Sequence, residues 1–227
     1  MGKSSWCKRF VEGLAGRGTE AFISHDDAAY AVCDRLNAEL SGAPAVHRQS
    51  STSSNSALPE GGFTYDNVWD DHREEIDALY EERAAEAMRT RSGPGVVILD
   101  SIYLRAAARA EAIALARREA GPCAKICCVA FDTRDEAAYA RALSARSADR
   151  GNKKITVEFV TQTLLVGAAA PAEAEGFDLL VRCVAILEDG WREEREAASE
   201  AVLELVVGSG KEGEGDDASS KRRRLDA

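Results

Sequence analysis

The chain lacks any apolar run approaching the roughly 18 to 20 residues of a membrane span, and its start, MGKSSWCKRF, has no apolar stretch of the signal-peptide kind. A soluble protein is expected, intracellular and either cytoplasmic or nuclear, with no membrane partner. Basic charge is also in short supply: 29 Lys and Arg stand against 39 Asp and Glu, a net charge of −10. Coating nucleic acid non-specifically requires a broad Lys/Arg surface, so that class is disfavoured, although a small basic channel for one strand end is not. The six cysteines, Cys7, Cys33, Cys123, Cys127, Cys128 and Cys183, show no paired metal-ligand spacing. This argues against a zinc module and for reduced thiols in a core. No period of roughly 20 to 50 residues suggests a repeat architecture, and no D-x-D-G-T phosphatase signature implies a second enzymatic domain.

What is present suits one globular domain, since 227 residues with 45% hydrophobic content can bury one sizeable core. The domain is expected over 1–207, with a flexible Ser-, Pro- and Gly-rich insertion at about 41–62 and a polar, disordered tail at 208–227. The tail's KRRR at 221–224 reads as solvated charge, or as a weak nuclear-import signal. Four short apolar runs, AFIS (21–24), VVIL (96–99), KICCVAF (125–131) and LLVRCVAIL (179–187), have the length of strands buried on both faces. Helical patterns alternate with them in SWCKRFVEGL, over 66–90, in LRAAARAEAIALARREAG with Gly121 as its stop, in DEAAYARALSARS and in KITVEFVTQTLL. The alternation predicts an α/β fold with a parallel sheet.

Ligands of open α/β sheets bind beyond the carboxyl ends of the strands. There the sequence turns acidic: His25, Asp26 and Asp27 follow AFIS, Asp100 follows VVIL, and Asp132 follows KICCVAF. Such carboxylates can hold Mg²⁺ or accept a proton from an attacking hydroxyl, and equally can cap a helix, the reading preferred for Asp132. At the start, Gly2-Lys3-Ser4-Ser5 opens a helical pattern with Trp6, Phe10, Val11 and Leu14 near one face. This matches the last three positions of G-x-x-x-x-G-K-[ST], a loop that cradles phosphates with backbone N–H groups.

Taken in order, GKSSW, ISHDD, VVILDSIYLRAAARAEAIALARREAG, ARALSARSADRGNKKITVEFV and PAEAEGFDLL resemble the kinase domain of polynucleotide kinases and their P-loop relatives, including zeta-toxin-like enzymes. The resemblance covers most of residues 2–187 outside the insertion and rests chiefly on Asp100-x₈-Arg109 and on Pro171 to Asp178. It implies a P-loop NTPase-type parallel sheet flanked by helices, and transfer of phosphate from ATP with Mg²⁺. Gly2, Lys3, Ser4 and Ser5 would contact the nucleotide, with Ser4 also on the metal. Asp26 would be the general base, and Asp27 and Asp100 would lie at the acceptor. Arg146, flanked by Arg141 and Arg150, would reach the transferred group.

Two departures accompany it. Ala29 stands where phage-type polynucleotide kinases carry an arginine that binds a nucleic-acid phosphate, and the strand and glycine expected before Gly2, the sheet's central strand, are absent from the sequence. The expected acceptors are therefore a nucleic-acid 5′-hydroxyl or, alternatively, a small hydroxyl-bearing molecule; a catalytically weak nucleotide-binding protein is a further reading. The helix over 66–90 is expected to cover the acceptor side, packing Trp69, Ile76, Leu79 and Tyr80 inward. His72, Arg73 and Arg83 then lie on a solvated face or, alternatively, meet substrate.

Overall fold

Each apolar run becomes a strand. The computed structural model describes residues 6–7, 10–12, 19–42, 62–90, 95–132, 136–149, 155–184 and 191–208. Strand β1 spans Thr19–Ser24, β2 Gly95–Asp100, β3 Cys127–Asp132 and β4 Leu179–Val184. Helices fill the connections: α1 (His25–Ser41), α2 (Tyr65–Asp71) and α3 (Arg73–Arg89) before β2, and α4 (Ala106–Glu119) before β3. Helix α5 (Glu136–Asp149) precedes β4 and α6 (Trp191–Gly208) follows it. A helical turn at Val157–Phe159 runs into a π-turn at Val160–Leu164 where KITVEFVTQTLL was read as helical. Helical crossovers of this kind bring successive strands together in parallel.

β1 pairs with β2 and β3 with β4, both in parallel. Among the described residues the strands thus form two two-stranded sheets, where the sequence predicted one continuous sheet. Side-chain packing joins the two pairs. Phe22, Val96 and Ile98 point from the first pair, and Cys127, Val129, Phe131, Leu179 and Val181 from the second, into one cluster with Trp6, Cys7, Phe10 and Val202. Alternation along β1 and β2 sends Ile23, Val97 and Leu99 to the opposite face, against Ala84, Ala85, Met88 and Leu115 of α3 and α4. The first sheet is covered on both sides, as its unbroken apolar runs require.

Helix α1 is set by local chemistry. The Ser24 hydroxyl accepts from Asp26 N at 3.2 Å, Asp26 and Asp27 place negative charge in the first turn, and Gly42 ends the helix at φ 61°. Its inner face packs Ala28, Ala29, Val32, Cys33 and Leu36 against Val68, Ile76 and Tyr80. The helix predicted over 66–90 is two helices, because His72 leaves helical geometry at φ −127°, ψ 28°. The capping box of Thr64 and Asn67 starts the first of them. Ile76 and Tyr80 are buried and Trp69 and Leu79 partly so, as the sequence led us to expect.

The described cysteines are all free thiols. Burial pushes Cys127 up to about 12 and Cys128 up to about 11. Cys123 departs from the expected core placement and is exposed, because it sits in the turn after Gly121 (φ 88°). The insertion beyond Gly42, the tail from 209 with its KRRR, and the end of LLVRCVAIL from 185 lie outside the described residues.

Candidate functional site

The in-register pairing of β1 with β2 sets Ser24 opposite Asp100, so the two strands finish at one level. His25, Asp26 and Asp27 therefore leave β1 beside the end of β2, as the first turn of α1. Asp100 is buried at 4% exposure, whereas Asp26 is exposed. The Tyr65 hydroxyl donates to Asp26 Oδ1 at 2.6 Å, orienting the carboxylate from the start of α2. Burial, followed by the adjacent Asp26 charge, raises the Tyr65 phenol well above its ordinary range, so it stays a donor at neutral pH. Arg83 of α3 reaches the same turn, its Nη1 lying 3.5 Å from the Asp27 carbonyl oxygen.

A row of rings lines this edge. Tyr30 lies 5.0 Å from Tyr65, Tyr65 6.2 Å from Trp69, Trp69 6.1 Å from His25, and His25 is stacked on Tyr80 at 3.6 Å. The Tyr80 and Tyr103 hydroxyls share a 2.6 Å hydrogen bond. His25 has polar contacts at both ring nitrogens, with Ser101 Oγ 2.6 Å from Nδ1 and Asp77 Oδ1 3.3 Å from Nε2.

Of the residues expected at a phosphate-transfer site, Asp26, Asp27 and Asp100 share the same end of the first sheet, Asp100 closing β2 and the other two following β1. Gly2, Lys3, Ser4 and Ser5 lie outside the described residues, as do Arg150 and the side chains of Arg146 and Asp132. Arg141 is exposed on α5. Half-buried His72 faces Glu75, and exposed Arg73 faces Asp77. Among the described residues no cluster of three or more potential ligands could hold a metal by itself.

The two segments that carried the family resemblance meet one another. Arg109, 4% exposed, donates from Nε and Nη2 to Glu175 at 2.6 and 2.8 Å, and from Nη1 to the carbonyls of Tyr103, Leu104 and Ala169. Asp178 accepts from Ile126 N at 2.7 Å and from Arg117 at 3.2 Å, anchoring the entry to β3. These groups brace the fold behind the strand ends. Sequence reasoning singled out both spacings without pairing them, and it did not foresee the Ser101–His25–Asp77 contacts; the signal available for those was a histidine and a serine directly following paired strands. No protein-family model, curated protein or solved structure matches this chain.

Proposed function

We propose that the chain is an ATP-dependent phosphotransferase of the P-loop kinase type, with Asp26 as the base that accepts the proton of the acceptor hydroxyl. The observation supporting this reading is the in-register ending of β1 and β2, by which exposed Asp26 follows one strand end and buried Asp100 closes the other. Phosphoryl transfer depends on positioning and charge neutralisation more than on covalent chemistry. An exposed aspartate held at one oxygen by Tyr65 suits proton acceptance. Mg²⁺ carried in with ATP would supply charge neutralisation at the phosphates, with Ser4 on the metal, Asp27 and Asp100 at the acceptor, and Lys3 and Arg146 at the phosphates.

The acceptor favoured by the resemblance is a polynucleotide 5′-hydroxyl. One observation supports a small hydroxyl-bearing acceptor instead: Ala29 is fully buried against the α2–α3 layer, so position 29 faces the core where a phosphate-binding arginine would need to face solvent. The test is incubation with γ-labelled ATP and a panel of 5′-hydroxyl oligonucleotides and small alcohols. Asp26→Asn is expected to lower transfer by roughly a hundredfold or more while ATP binding persists. Absence of transfer to every acceptor, or full transfer by Asp26→Asn, overturns the assignment.

A further inference from the structure

We infer that Ser101 is an activated nucleophile, served by His25 as its base and by Asp77 as the group that orients that base. Three elements supply the parts. Ser101 directly follows β2, His25 opens α1, and Asp77 projects from the second turn of α3. A neutral imidazole that donates from Nε2 to a carboxylate presents an unprotonated Nδ1, and a hydroxyl at hydrogen-bond distance from that nitrogen donates to it. The 3.3 Å approach of Asp77 Oδ1 to Nε2 and the 2.6 Å contact of Ser101 Oγ with Nδ1 fit that tautomer. Tyr80 stacks flat on the ring, 14° from parallel, and restricts its rotation. Arg73 lies 3.7 Å from the second Asp77 oxygen.

This is the relation of nucleophile, base and orienting acid that defines a serine triad, here with the two ring nitrogens exchanged in role. Neither reacting partner is sealed away: the His25 side chain is 20% exposed and Ser101 is half-buried. The class of substrate is a carboxylic ester. Ser101 Oγ bonds to the ester carbonyl carbon as its proton passes to His25 Nδ1. The carbon–oxygen bond to the alkoxide then breaks, and His25 returns the proton to the departing alcohol. Water, deprotonated by His25 in the same way, releases the carboxylic acid and restores the serine hydroxyl. Neither nucleotide nor metal takes part, so this chemistry stands or falls apart from phosphate transfer.

The full chain is treated with a fluorophosphonate, whose phosphorus bonds to an activated serine with loss of fluoride, and adducts are mapped by mass spectrometry. The expected result is one adduct, on Ser101, forming faster in the native chain than in the urea-unfolded chain, with turnover of a p-nitrophenyl ester. His25→Gln is expected to slow labelling by about a hundredfold or more, and Asp77→Asn by about tenfold or more. Ser101→Ala should abolish the adduct, with circular dichroism confirming that each variant is folded. The native-against-unfolded comparison needs only the wild-type chain and stands even if a variant fails to fold. No adduct, an adduct elsewhere, equal labelling of native and unfolded chains, or labelling of Ser101 unchanged in folded His25→Gln overturns the proposal.

Discussion

Arg109 sends all of its described hydrogen bonds into a space where little of it meets solvent: two to Glu175 and three to main-chain carbonyls. Truncating it removes one partner from Glu175 and from three carbonyl oxygens, while Glu175 keeps the Ala172 amide and the Leu104 carbonyl keeps the Ala169 amide, so Arg109→Ala is expected to destabilise the fold by about 1 to 3 kcal/mol, read from urea unfolding. Lysine cannot reproduce the planar fork, and Arg109→Lys should recover only part of the loss. The same bonds set a pH dependence. The Arg109 hydrogen bond holds Glu175 below the usual carboxylate range, and the Ile126 amide does the same for Asp178. A group whose pKa is depressed by folding contributes stability above its unfolded pKa, and that contribution disappears as pH falls through the folded value. Melting temperature should therefore fall as pH drops below the ordinary values of 4.5 and 3.8, and Glu175→Gln should flatten that acid limb while lowering stability at neutral pH.

Asn37, near the end of α1, grips the returning chain by donating to the Phe63 carbonyl at 2.9 Å and accepting from Phe63 N at 2.8 Å. Asn37→Ala frees the Phe63 amide and leaves its carbonyl only the Cys33 thiol at 3.2 Å, and should cost about 1 to 3 kcal/mol in denaturant unfolding, whereas a change on the exposed face of α1 should cost less than about 0.5 kcal/mol. Individual elements were the most legible feature of the sequence: each apolar run is a strand and Gly121 does stop α4. Helices α1 and α6 were not foreseen. In α1 the inner face joins two alanines to Val32, Cys33 and Leu36, so few large apolar residues mark it, and its acidic first turn drew attention as chemistry. The break at His72 was equally hidden, since it is a backbone excursion of one residue inside an otherwise helical composition. Carboxylates at strand ends were legible because strand ends follow from apolar runs. The pairing of Arg109 with Glu175 was not, because local pattern carries no information on which distant segments meet.

At the scale of the molecule, the two sheets of the described residues share one apolar cluster that includes Trp6, stacked on Phe10 at 5.1 Å and edge-on to Phe131 at 6.0 Å. Trp6→Ala should cost about 3 to 5 kcal/mol. Because the cluster takes side chains from both sheets, they should unfold together, with circular dichroism and tryptophan fluorescence giving coincident transitions; two resolved steps would show that the sheets are independent units. The long-range parallel pairing also has a kinetic consequence. Thr19 must find Gly95, and Cys127 must find Leu179, before either sheet can form, and whole helices lie between the partners. The entropy of closing such large loops is lost before any strand bond compensates for it, so the refolding rate is governed by the search for distant partners while the helices form early.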